Sequence, residues 1–106
     1  MTETYDITIP TLVAVSALPG GIFWRQNCGK FRSMDGRRVV SATSIAGVAD
    51  VMGAYKTRPI AIETKTATGT MRKTQKDFRT QWEKAGGVYI VARSPEQAVA
   101  ELGKIA

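Results

Sequence analysis

Residues 59–92, PIAIETKTATGTMRKTQKDFRTQWEKAGGVYIVA, decide the fold. The opening residues alternate as a strand requires: Ile60, Ile62 and Thr64 fall on one side, Ala61, Glu63 and Lys65 on the other. Pro59 stands at the start, where a strand tolerates proline. Met71, Gln75, Phe78, Trp82 and Ala85 then recur at spacings of 4, 3, 4 and 3, which predicts a helix over 71–85 with one apolar stripe. Thr70 is its expected cap and Gly86-Gly87 its stop. Residues 88–92 are apolar on both faces, the pattern of a strand buried within a sheet. Strand, helix and strand in this order predict a crossover joining parallel neighbours.

Working outward, residues 48–53 and 59–66 read as the two arms of a hairpin joined by 54–58. A short strand is expected over 22–25, a polar, basic connection over 28–35, and a further strand over 38–42 after the Asp35-Gly36 turn. Residues 7–18 read as a helix with Thr8 as cap and Pro10 in the first turn, ended by Pro19-Gly20-Gly21. The β-branched Thr8, Ile9, Thr11 and Val13 pull the other way. At the far end, Ser94-Pro95-Glu96-Gln97 combines an N-cap, a proline at the first helical position and a capping-box glutamine. The helix that follows is expected to bury Val99, Leu102 and Ile105. The chain therefore reads as one α/β domain over 1–106, a mixed sheet flanked by helices.

Composition narrows the chemistry. The 106 residues include 15 Lys and Arg, 9 Asp and Glu, no histidine and one cysteine, Cys28. Without histidine there is no Ser-His-Asp or Cys-His hydrolase and no His-ligated zinc. One cysteine excludes an intrachain disulfide framework and thiolate zinc sites, and fits a reducing compartment. Carboxylate, lysine and hard, oxygen-bound metal remain. The net charge of +6 is either a solvated basic surface or the footprint of a polyanion partner. The apolar runs are too short to cross a membrane, and Glu3 and Asp6 precede the first of them without a basic leader. A cytoplasmic protein with no membrane partner is the expectation.

Strand 59–66 presents a carboxylate and an ammonium side by side on one face. On the preceding arm Asp50 stands between apolar neighbours, although strands are depleted in aspartate. If the arms pair, Asp50 and Glu63 converge and can hold Mg²⁺ or Mn²⁺, with the Thr64 carbonyl as a further oxygen ligand. Glu-x-Lys alone is commonly a surface ion pair. Gln75 adds to the pattern, because it lies on the apolar stripe of the helix and a buried amide must find hydrogen-bond partners.

Gly47-Val48-Ala49-Asp50, Ile62-Glu63-Thr64-Lys65, Gln75-Lys76-Asp77-Phe78 and Ala85-Gly86-Gly87 together resemble the VRR-NUC family, virus-type replication-repair nucleases of the PD-(D/E)xK superfamily. Trp24-Arg25-Gln26-Asn27-Cys28-Gly29 resembles that family's upstream segment, so the likeness spans residues 20–95. The resemblance implies a restriction-endonuclease-like αβββαβ core. It also implies a stand-alone phage or bacterial enzyme in the bacterial or host cytoplasm, and a homodimer, in some members with exchanged elements, that cuts four-way DNA junctions. Asp50 and Glu63 would match the metal-binding acids, with the Thr64 carbonyl alongside. Lys65 would match the catalytic lysine, and Gln75 the glutamine of the following helix. Ala49 replaces the superfamily's proline, and residues 7–18 lack the family's first-helix glutamate, leaving Glu3 and Asp6 as the nearest acids.

A bound Mg²⁺ or Mn²⁺ would polarise the scissile phosphate and acidify a water, with Lys65 beside it. DNA contacts are expected from Arg25, Asn27, Lys30, Arg32, Arg37 and Arg38 in one basic group, and from Arg72, Lys73, Lys76 and Arg79 in another. Trp24 and Phe31 are expected in the core, with stacking on unpaired bases as the other role. Two other readings stay open: a non-catalytic basic DNA-binding module on the same fold, and a nuclease acting on flap or plain duplex DNA.

Overall fold

The computed structural model describes residues 4–26, 30–32, 36–37, 39–41 and 45–105. Glu3, Asn27, Cys28, Asp35 and Arg38 lie outside the described residues, and of Lys30, Phe31 and Arg32 only the strand they form is described. The chain runs through a π-helical turn Thr4–Thr8, α1 (Ile9–Ser16), β1 (Gly21–Arg25), β2 (Lys30–Arg32), β3 (Val39–Ser41), β4 (Val51–Tyr55), β5 (Arg58–Thr64), α2 (Lys73–Lys84), β6 (Val88–Ala92) and α3 (Pro95–Leu102).

Four strands form one mixed sheet in the order β1-β4-β5-β6, with β5 and β6 parallel and the other neighbours antiparallel. The parallel pair is the predicted crossover, carried by α2. The apolar residues divide onto two faces because the strands alternate. Val51, Ile60, Ile62 and Ile90 pack with Val15 of α1 and with Ala98 and Leu102 of α3. On the opposite face Met52, Ala61 and Tyr89 pack with Phe78 of α2.

Several boundaries differ from expectation. β2 occupies part of the stretch read as a connection and pairs with β3 as a separate two-stranded ribbon. The β4–β5 hairpin turns on Lys56-Thr57 alone and not on a join over 54–58, with both residues at positive φ (48° and 69°), the geometry of a type I′ hairpin turn. β4 begins only at Val51, so Asp50 stands one residue before it and not within it. The long helix starts at Lys73, and Arg72 with extended backbone, not Thr70, caps it. Ala85 follows its end and is exposed.

Helix α1 forms despite its β-branched residues, because Pro10 sits in the first turn and Val15 is fully buried. Thr8 precedes it without making a side-chain cap. At α3 the expected cap is present: the Ser94 hydroxyl accepts the Gln97 N–H at 3.1 Å. Leu102 is buried there, while Val99 and Ile105 pack at the edge of the same core.

Candidate active site

β5 ends on Glu63 and Thr64, Lys65 follows directly, and all three are buried. Pleating sends Glu63 and Lys65 toward α2, and the first turn of α2 brings Gln75, also buried, over them. The Gln75 amide joins the two charges. Its Nε2 donates to Glu63 Oε1 at 3.0 Å, and its Oε1 accepts from Lys65 Nζ at 3.0 Å and from the Arg72 N–H at 2.8 Å. Lys65 Nζ lies 3.6 Å from the same Glu63 oxygen. Gln75 is thus held by a cation, a carboxylate and the start of its own helix, which fixes which way the amide points.

Asp50 approaches from the residue just before the neighbouring strand, β4. Extending the β4–β5 register (Val51↔Ile62) places Asp50 opposite Glu63. Its Oδ2 accepts from the Thr64 N–H at 2.9 Å and from the Thr64 hydroxyl at 2.8 Å, and its Oδ1 takes no hydrogen bond from any described residue. The Thr64 hydroxyl in turn bonds that of Thr8. At the start of α1, therefore, it is a threonine that reaches the site strand; Asp6 is exposed. Thr8 carried no sequence signal beyond its reading as a cap.

Gly47 explains how the loop before Asp50 fits. Its φ is +76°, and a methyl group there would overlap the Thr74 carbonyl at the start of α2. The loop and the helix terminus thus touch backbone to backbone, which sets Asp50 and Gln75 relative to each other.

The residues expected to bind nucleic acid are distributed around this centre. Arg25 ends β1 and is exposed, and the next residue, Gln26, donates its N–H to the Asp50 carbonyl at 2.8 Å. Arg72 and Lys73 are exposed at the start of α2, with Lys73 paired to Asp77 at 2.9 Å. Asn27 is outside the described residues, as is the side chain of Lys30. Trp24 is not a core residue: it is 49% exposed.

Among the described residues no group of three or more His, Cys, Asp or Glu converges. The donor set is Asp50, Glu63 and the carbonyl of Thr64, the residue that Asp50 grips. This is hard oxygen chemistry, and Mg²⁺ is commonly held by one or two carboxylates with water completing its shell. The residues fit such an ion.

Sequence reasoning missed Tyr89. Parallel pairing sets it beside Ala61, two residues before the strand position opposite Glu63, on the face toward α2. The Arg79 guanidinium lies 5.2 Å from its ring, and its buried hydroxyl has no hydrogen-bond partner among the described residues. The available signal was a phenol in an otherwise aliphatic strand, since a buried tyrosine oxygen ordinarily needs a partner. Burial pushes the phenol well above its usual range, and the Glu63 carboxylate adds to the rise.

The sign of the resulting pH dependence follows directly. Below about pH 10 the phenol is neutral in the folded and unfolded chains alike. Above it the unfolded chain releases the proton and the folded chain keeps it, so stability falls by about 1.4 kcal/mol per pH unit from this group. Tyr89→Phe is expected to match or slightly exceed the wild type at pH 7, because no hydrogen bond is lost, and to lose less stability by pH 11. Urea denaturation at both pH values checks this. An equal alkaline loss in the two proteins would refute it.

Arg93 was also missed. Its Nη1 donates to the carbonyls of Thr66 at 2.6 Å and Gly69 at 2.7 Å, tying down the turn that follows Lys65. Among the described residues no helix is long and apolar enough to cross a membrane. No family model, curated protein or solved structure matches the chain.

Proposed function

We propose that the chain is a metal-dependent endodeoxyribonuclease of the PD-(D/E)xK type, related to VRR-NUC nucleases, acting on branched DNA as a homodimer. The observation that carries this reading is the Gln75 amide bridging buried Glu63 and Lys65, with Asp50 opposite, just before β4. Burying a carboxylate and an ammonium is expensive, and an apolar pair of similar volume commonly serves stability as well or better. A cluster kept at that cost, beside a second carboxylate, suits chemistry on a charged substrate.

Asp50, Glu63 and the Thr64 carbonyl would hold Mg²⁺ or Mn²⁺. When bound, the ion supplies Lewis acidity toward a phosphate oxygen and lowers the pKa of a coordinated water. The chain's own part is positional and electrostatic. Lys65 sets a fixed positive charge beside the phosphate to offset the charge that grows on its oxygens. Gln75 keeps the Lys65 ammonium in place and occupies Glu63 Oε1, which fixes the carboxylate's orientation. Thr64 and Thr8 steady Asp50 from behind. Arg25, Arg72 and Lys73 would contact the phosphate backbone, which positions DNA without reading its sequence.

A homodimer suits this activity, since resolving a four-way junction needs two coordinated cuts and a two-fold axis supplies two centres. The test is incubation with a labelled four-way junction and a matching linear duplex, in Mg²⁺, Mn²⁺ or EDTA. Paired cuts in the junction that require metal support the reading. Cuts in the duplex at the same rate would leave a nuclease without structural preference. Tight binding with no cleavage in either metal would make the protein a non-catalytic DNA-binding module.

A further inference from the structure

The face of the sheet that carries the acids is only half covered by the described helices. Helix α2 lies over β5 and β6, with Phe78 and Trp82 beside Tyr89 and Ala61. Over β1 no helix among the described residues covers the same face. The register Ile22↔Ala54 and Trp24↔Met52 puts Ile22 and Trp24 on the side of Met52, which packs toward α2, while Phe23 packs on the opposite core. Ile22 is 67% exposed and Trp24 49%. The indole is also oriented, since its Nε1 donates to Gln26 Oε1 at 3.3 Å.

This strip adjoins the candidate centre. Trp24 faces Met52, and Asp50 is the diagonal neighbour two residues before Met52. Such diagonal neighbours stand about 7–8 Å apart, a distance one nucleotide spans. The wall of the strip is the side of α2 turned toward β4, identified by the contact between Thr74 and Gly47 and by Arg79 lying over Tyr89 on the other side. Helical periodicity places Thr74 and Gln81 along that side, with Asp77 next to them, and Arg25 closes the end of β1.

We infer that Ile22 and Trp24 form a stacking platform for an unpaired nucleobase next to the phosphate held at Asp50 and Glu63. This rests on the nuclease reading and makes its substrate class narrower: DNA with a single-stranded or unstacked segment at the cut. The occupant follows from chemistry. An aromatic face beside the exposed Arg25, on a chain of net charge +6, suits a ligand that is anionic and also offers flat apolar rings, and unpaired nucleic acid is both. A blunt duplex keeps its rings stacked inside. A second copy of a chain with net charge +6 would bring Arg25 against its own kind.

The test uses the full chain in EDTA, so that cleavage does not enter. Binding of a fluorescein-labelled oligo-dT strand and of a blunt duplex of equal length is compared for the wild type, Trp24→Leu and Trp24→Phe. The leucine variant is expected to lose about tenfold in single-strand affinity, leave duplex affinity unchanged, and be largely rescued by phenylalanine. Oligo-dT should quench indole emission in the wild type but not in Trp24→Phe, where Trp82 remains. Equal losses on both DNAs, or no loss, would overturn the inference. A change in oligomeric state by sedimentation in Trp24→Leu would also overturn it, by showing the strip to be covered by a second copy. Junction cleavage in Mg²⁺ without Trp24-dependent strand binding would remove this inference and leave the nuclease; strand binding through Trp24 without any cleavage would do the reverse.

Discussion

Lys65→Met is expected to abolish metal-dependent junction cleavage, lowering the rate by about 10²–10³-fold or more, the range seen when one preorganised group facing developing charge is removed. The same change should also lower stability. Lys65 Nζ sits 3.0 Å from Gln75 Oε1 and 3.6 Å from Glu63 Oε1 in a buried site, and removing one member of a buried pair commonly costs about 3–5 kcal/mol. The two effects are separable. In the double variant Glu63→Gln/Lys65→Met no buried charge is left without its partner, so much of the stability returns while cleavage stays absent. A double-mutant cycle by urea denaturation, run beside the cleavage assay, measures both. If Lys65→Met cuts junctions at the wild-type rate, the ammonium has no catalytic role and the pair is structural.

Gly47→Ala is expected to have the second largest effect, at a position that bears no functional group. An alanine at φ +76° pays about 1–2 kcal/mol for the left-handed backbone. Its methyl group also overlaps the Thr74 carbonyl and crowds the Gln75 N–H, so either the loop or the start of α2 must move. The melting temperature should drop by at least about 4–8 °C, the shift that one kcal/mol produces in a domain of this size. Cleavage should fall further than the loss of folded protein explains, because the displaced partners carry Asp50 on one side and Gln75 on the other. Measuring cleavage well below the melting transition isolates that second effect. Full activity there would show that the glycine serves folding alone.

Gly47 also illustrates what the sequence makes legible. Its place three residues before Asp50 was visible as part of a motif, but the reason, close backbone approach between a loop and a helix start, exists only in three dimensions. The crossover was readable because period-two and helical patterns follow one another without a gap between 59 and 92. Gln75 was readable as a buried amide because polar groups on an apolar stripe must be satisfied. The hairpin turn was harder. Lys56 and Thr57 are poor signals for a type I′ turn, which favours Asn and Gly, so the join reads as five residues, the first arm is placed too early in the chain, and Asp50 falls within it. Trp24 was misplaced because β1 is an edge strand whose inward-looking face receives no helix among the described residues, and exposure of that kind depends on what packs above the sheet. Tyr89 was hidden in a strand whose other members are aliphatic.

The join between β4 and β5 and the join between β5 and β6 differ in how far apart in the chain their partners lie. A hairpin closed by two residues forms within about 1–10 μs, so Asp50 and Glu63 meet early in folding. The parallel pair closes only after α2 has been laid down and β6 has docked, and non-local pairing of this kind is slow. A chain still folding therefore brings its acids together before Gln75 is locked between Glu63 and Lys65. A fragment ending before Val88 lacks the strand that pairs with β5 and carries Tyr89 under Phe78, and is expected to hold its carboxylates without the fixed Gln75 bridge between Glu63 and Lys65.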